Sequence, residues 1–342
     1  MSDVRYQSAT SRPSRTHGPW IDIHAHPGAC FALDGAAATS DGLVGANRSV
    51  AAIADIRSSE ITVSSFATVA DLAVIGFVSG GGLGSVREFE PGEALADHDR
   101  QLRAIGALAE RGLIELVMGA SDVERVHDGG DVGMLLTCEG GDFVEHDLAR
   151  LGRAHAAGAR SVTLVHYRQG DVGDAQTSDP RHGGLSDVGR AIVVEMNRLG
   201  MIVDLAHASM AATADALEVS RHPIVISHSH LASPGHDHPR LLTAEHAQMV
   251  ADGGGLVGAW PSGVVCQTLD DYADEICRLV DLVGVGHVAI GSDMDANYKP
   301  VLHAYPQFLE LAGLLGHRGL DAAEVDAILG GNYLRVMRAV MG

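Results

Sequence analysis

The sequence predicts a single-domain α/β fold, a (β/α)8 TIM-type barrel, and three observations carry that prediction. The first is length: 342 residues exceed the ~250 that such barrels commonly occupy, yet stay within their range once insertions are allowed. The second is a recurrence of short Val-, Ile- and Leu-rich runs, most of them followed by a turn and a helical pattern, as repeated βα units require. The third is where the chemistry-bearing residues fall, because these barrels collect them at the C-terminal ends of several strands. An open doubly wound sheet is the rival architecture. Its dinucleotide-binding version lacks support, since no GxGxxG opens a helix after the first run.

Residues 1–18 are polar, with no helical or strand period, and read as a flexible N-terminal arm ahead of a barrel domain spanning 19–342. The eight expected strands are 20–26, 70–79, 132–139, 161–166, 201–207, 223–228, 255–260 and 287–293. Between them, Leu95, Leu102, Ile105 and Leu108 recur at helical intervals over 94–112, with Gly112 as a left-handed stop. Similar helices fit 186–200, 243–252 and 270–284, and 113–131 has room for an additional short strand.

Composition narrows the function. Hydrophobic residues make up 46% and charged residues 20%, a globular balance that excludes a disordered or collagen-like chain. With 24 Lys+Arg against 44 Asp+Glu, the net charge of −20 opposes the counterion-release chemistry of nucleic-acid binding. The first twenty residues hold no apolar run able to act as a signal-peptide core or membrane anchor, so a cytoplasmic protein is the expectation. Cys30, Cys138, Cys266 and Cys277 form no CxxC pair and read as reduced packing residues. The informative excess is 19 histidines, because imidazole is a common ligand of catalytic metals.

Position selects among them. In IDIHAHPG, His24 and His26 stand at i and i+2, so on a regular strand they share a face and can converge on one cation, with Ile21, Ile23 and Ala25 opposite. Asp22 shares the histidine face and is a candidate to orient a ligand. Glu139 ends the run MLLTCE and enters a Gly-Gly turn, where two carboxylate oxygens can bridge two cations. MIVDLAH and PIVISH deliver His207 and His228 to the same mouth, and His230 competes for the ligand role. His222, His236 and His238 read as turn or surface residues. HVAIGSDMD ends in two acids, of which Asp293 is the first choice and Asp295 the second for a base beside metal-activated water.

These residues, in matching order across almost the whole chain, resemble the membrane (renal) dipeptidases of the amidohydrolase superfamily. The likeness lies in IDIHAH, TCEGG, SVTLVHY, GLSDVGRAIVVEMNRLGMIVDLAHAS, PIVISHSH, VGVGHVAIGSDMDAN and ILGGNYLRVMRAV. It implies an αβ barrel with two divalent ions, zinc by expectation, bridged by a carboxylate and a hydroxide. It also implies hydrolysis of dipeptides, some with a C-terminal D-residue. By the same likeness His24 and His26 hold the first metal, Glu139 bridges, His207 and His228 hold the second, and Asp293 carries the proton. His166 contacts the substrate carbonyl oxygen, and Arg240, in DHPRLL, pairs with the substrate carboxylate through a bidentate fork. A homodimer is a further family-level expectation.

Three departures qualify the likeness. Many relatives have His-x-Asp where this chain has His24-Ala25-His26; the segment YRQGDVGDAQTSDPRHGG after His166 lacks the family's asparagine-containing pattern; and the surroundings of Trp260 and Pro261 differ. The rivals to a dipeptidase are therefore an amidohydrolase acting on a lactone, cyclic amide or N-acyl amino acid, and a catalytically silent barrel that binds a metal or ligand.

Overall fold

The computed structural model describes residues 16–32, 46–78 and 82–342. Eight parallel strands form one sheet in sequential order: β1 (Trp20–Asp22), β2 (Ile61–Val69), β3 (Gly133–Glu139), β4 (Ser161–Thr163), β5 (Ile202–Asp204), β6 (Val225–Ser229), β7 (Leu256–Ala259) and β8 (Val288–Ile290). The ends of the sheet meet. Ile23 N donates to Ile290 O at 3.0 Å, Asp293 N donates to His24 O at 2.8 Å, and a parallel bridge joins Ala25 to Met294. These contacts make the α/β fold a nearly closed TIM-type barrel, as the repeated βα pattern predicts.

The second strand corrects the sequence reading. Its residues, ITVSSFATV, are all buried and run over Ile61–Val69, not 70–79. The adjacent Ser64 and Ser65 disguised it, because inside the barrel their hydroxyls find partners: Ser65 Oγ meets Thr137 Oγ1 at 2.7 Å and Ser64 Oγ meets Tyr305 OH at 3.0 Å. The apolar stretch taken for the strand instead makes a turn and then a hairpin of Ile75–Phe77 with Leu83–Ser85, separate from the barrel sheet. The extra strand allowed within 113–131 is present as Glu115–Leu116, paired with β3.

The four expected helices run over Glu93–Glu110, Asp187–Leu199, Ala244–Asp252 and Leu269–Val283. Three begin at a hydroxyl cap (Ser186, Thr243, Thr268) that accepts a backbone N–H of the first turn, the last with a reciprocal bond from Asp271. Gly112, at φ +68°, takes the left-handed conformation its stop role needs. Further helices at Ser49–Arg57, Ala120–Asp128, Ala149–Ala156, Met210–Val219, Gln307–His317 and Asn332–Met341 complete the outer layer.

Two apolar clusters hold the strands. Met134, Leu136, Val162, Ile226 and Ile290 pack with Ile105, Ile192, Ile276 and Leu315 of the helices. Ile21, Ile23, Val63, Leu135, Ile202, Val225 and Leu256 gather with Tyr333, Val336 and Met337 of the last helix. Residues 1–15 of the expected arm lie outside the described residues. Its last two are anchored, since His17 stacks on Trp20 with centroids 4.1 Å apart and Gly18 N donates to Asp326 Oδ2 at 3.1 Å.

Candidate active site

Strand ends deliver the polar residues to one mouth. The regular β1 ladder stops at Asp22 and the chain bends at Ile23 and His24 before the Ala25 bridge. Strict alternation over 20–26 therefore fails: Ala25 joins a different cluster from Ile21 and Ile23. The two imidazoles still converge, with His24 Nε2 3.3 Å from Glu139 Oε1 and His26 Nε2 3.3 Å from Oε2. From the other side His207 Nε2 lies 3.3 Å and His228 Nε2 3.6 Å from Oε1, while His166 Nε2 lies 3.5 Å from Oε2. Asp293 Oδ1 stands 3.5 Å from His26 Nε2. All these side chains are buried.

The backbone is bent to make this possible. His207 and Asp293 sit at φ +67° and +53°, a left-handed region that L-residues enter at a cost of roughly 1–2 kcal/mol. At Gly140, φ +95°, a Cβ would lie 2.9 Å from that of Ala70, so glycine lets Glu139 turn into the mouth.

Charge is unevenly distributed among the imidazoles. Burial alone would raise Glu139, but His166 and His24 outweigh it and hold this carboxyl well below the ordinary range. Burial lowers His24, yet Glu139 drives it up to about 9. His207 and His228 are held well below the usual range by burial and by Arg240 and neighbouring histidines. Burial raises Asp293, opposed by His26 and reinforced by Glu139.

The donor set fits divalent cations. His24 Nε2 and His26 Nε2 are buried without a hydrogen-bond partner, and His207 Nε2 faces His228 Nε2 at 3.0 Å. A cation placed beside them would accept both Nε2 lone pairs, as ligating imidazoles provide. Three overlapping triads can each hold an ion: His24, His26 and Asp293; His24, Glu139 and His228; and Glu139, His166 and His207. Outer hydrogen bonds orient the rings. His26 Nδ1 donates to Ala67 O at 3.2 Å, and His228 Nδ1 donates at 3.1 Å to Ser227 Oγ, which donates in turn to Asp204 Oδ2 at 2.6 Å. Each arrangement turns Nε2 toward Glu139.

Beside this cage lies Arg240, 1% exposed. It donates to Gln176 Oε1 at 2.8 Å and His228 O at 3.3 Å, and its guanidinium lies 5.2 Å from the Trp260 ring. Trp260 Nε1 donates to Asp293 Oδ2 at 3.1 Å. His166 Nδ1 pairs with Asp71 Oδ1 at 2.6 Å, and Asp71 Oδ2 accepts from Tyr167 N and Arg168 N.

All eight sequence-nominated residues therefore share one mouth. The weaker candidates separate from it. His230 pairs with Glu275 at 3.0 Å and lies 3.2 Å from Cys266 Sγ, and Asp295 accepts from Gly28 N at 2.7 Å. Asp22 binds Ser292 N and so supports the turn into Asp293 instead of orienting an imidazole ring. His236 and His238 are exposed and His222 partly so. The four cysteines are unpaired and three are buried. Asp71, Gln176 and Asp204 were missed. Asp71 was hidden by the misplaced second strand, Gln176 by an irregular loop, while Asp204 in VDLAH was visible as an acid inside an apolar strand.

The sequence model of the family described as membrane dipeptidase (peptidase family M19) matches residues 79–341. The chain belongs to that family. The matched span begins after His24 and His26, so the family match by itself does not include the HxH pair. Dipeptidase aclJ of Aspergillus oryzae is 34% identical over 240 residues, 65% of this chain and 56% of the relative, so the chain spans little more than half the length of that dipeptidase. An amidohydrolase from Pseudomonas aeruginosa shares the fold with a TM-score of 0.73 at 22% identity, covering 94% of this chain and 96% of that one. A metallopeptidase from Rhodobacter sphaeroides, liganded with a phosphinate mimic of the dipeptide L-Ala-D-Ala, has a TM-score of 0.73 at 19% identity over 95% and 99%. Among the described residues of this dipeptidase-family chain, no helix is long and apolar enough to cross a membrane.

Proposed function

We propose that the protein is a metal-dependent dipeptidase. The observation that carries this reading is the convergence of five imidazoles and Asp293 around both oxygens of buried Glu139, next to buried Arg240. His24 and His26 would hold one divalent cation and His207 and His228 a second, with Glu139 between them; the nitrogen and oxygen donors suit zinc. When bound, such ions acidify water and polarise an amide carbonyl.

The chain's own groups do the rest. Arg240 binds the substrate's terminal carboxylate and fixes the scissile amide over Glu139. His166, held through Nδ1 by Asp71, presents Nε2 to the carbonyl oxygen and stabilises the charge that develops there. Asp293, with one oxygen held by the Trp260 indole, accepts a proton from water as the water oxygen attacks the carbonyl carbon. It then returns that proton to the departing amine. Burial, which lifts the Asp293 carboxyl above its ordinary range, favours such a carrier.

The replacement of the family's usual Asp by His26 removes one negative charge from the cage and leaves Glu139 as the anion shared by the histidines. Protein loaded with zinc, manganese or cobalt and assayed on L,L- and L,D-dipeptides tests the proposal. Release of free amino acids from some members is expected, and a metal-loaded, folded protein that cleaves none would overturn it.

A further inference from the structure

Arg240 is a buried cation whose hydrogen-bond partners among the described residues carry no negative charge. Its NH1 donates to the Gln176 amide oxygen at 2.8 Å, its NH2 to the His228 carbonyl at 3.3 Å, and its face covers Trp260. His207 Nε2, 3.4 Å from NH2, belongs to the cage. Arg240 Nε is buried with no hydrogen-bond partner. A dry guanidinium without an anion is costly, so the fold keeps this group short of its natural counter-charge.

Gln176 is itself tightly placed. Its backbone N donates to His207 O at 2.7 Å, and Ala175 forms an antiparallel bridge with Ala208. Two residues earlier, buried Asp174 gathers its loop by accepting from Arg181 N, His182 N, Gly184 N and Gln169 Nε2 at 2.7–2.9 Å. The side chain thus reaches Arg240 from a backbone tied to the same strand end that supplies His207. It also comes from the segment in which this chain departs from the family pattern.

We propose that Gln176 is a positioning residue that seats Arg240 through a neutral acceptor, leaving its full positive charge for the carboxylate of the substrate. This sets specificity for a substrate with a free C-terminal carboxylate, and it rests on the assignment of Arg240 made above. An amide oxygen fixes the guanidinium plane without neutralising it. A carboxylate at the same place would complete the ion pair internally and repel an incoming anion.

Glu is nearly isosteric with Gln, so Gln176→Glu separates charge from shape. The experiment measures binding of a phosphinate mimic of Ala-Ala, as the free acid and as the C-terminal carboxamide, by calorimetry on the metal-loaded protein, together with KM and kcat for a cleaved dipeptide. The unaltered protein should prefer the acid by ~10²-fold or more, the scale of a charged hydrogen-bonded pair. Gln176→Glu should weaken the acid by a similar factor while the carboxamide changes by no more than about twofold. KM should rise far more than kcat falls. Gln176→Ala should weaken the acid by ~10-fold, reflecting a lost seat without a new charge.

Equal weakening of acid and amide by Gln176→Glu, or undiminished preference for the acid, would overturn the role of Gln176 while leaving Arg240 in place. An unaltered protein that binds acid and amide equally well would remove the Arg240 assignment, and this proposal with it.

Discussion

Glu139 is the residue on which the site's electrostatics turn. Burial lowers His24 and His166, yet both are driven up to about 9 by carboxylates, His24 chiefly by Glu139 and His166 by Asp71 and then Glu139. Glu139→Gln keeps the shape and removes the anion. Metal analysis of the purified variant should therefore find the cations largely lost, with dipeptide hydrolysis down by more than ~10³-fold; full metal content would show that the carboxylate is not a ligand. Asp293 should behave differently. Asp293→Asn should lower kcat by ~10²–10⁴-fold, the range of a positioned general base, with most metal retained. If metal leaves with activity, Asp293 belongs to the His24 and His26 triad as a ligand and not as a proton carrier.

At the scale of elements, the strands and their connections decide how precisely those side chains meet. Asp204, at the end of β5, accepts from Thr163 Oγ1 on β4 at 2.6 Å and from Ser227 N and Oγ on β6 at 2.9 and 2.6 Å. Asp204→Ala should cut metal affinity by ~10–100-fold, the usual effect of removing an outer partner, as read by competition with a chelator. Away from the site, His98 on the Glu93–Glu110 helix stacks on Phe143 at 3.7 Å, and burial pushes its pKa down to about 3. His246 is similarly pushed to about 4. Both lie below the ordinary value near 6.5, so the unfolded chain binds more protons. Their stabilising effect is present above pH 6.5 and is lost as pH falls toward 4 and 3, by about 1.4 kcal/mol per unit for each group. His98→Phe should flatten the acid limb of a melting curve series by up to about one proton; an unchanged slope would mean that His98 titrates normally.

These elements were unevenly legible. Runs that end abruptly in a chemical residue, such as the ones before Glu139, His207 and His228, were plain because apolar strands buried on both faces leave few other readings. The second strand was not, since Ser64 and Ser65 look like turn chemistry until Tyr305 and Thr137 supply their hydrogen bonds. The error also concealed Asp71. Alternation failed at the end of β1 for a different reason: the bend at Ile23 and His24 is set by closure onto β8, a contact more than 260 residues away in the chain. Gln176 gave no local signal, as its partner Arg240 comes from another loop.

Across the whole molecule, barrel closure brings His24 and His26 on the first strand to the same rim as Asp293 after the last. Sequence order alone states that convergence only through likeness to the family, whose matched span starts beyond the HxH pair. On the proposed function, this rim holds two cations astride Glu139 and cleaves dipeptides with them. Its most direct test is anomalous diffraction from a crystal of the protein loaded with zinc. Two peaks should flank the Glu139 carboxylate, one toward His24 and His26 and one toward His207 and His228. A single peak, or none at this rim, would contradict it.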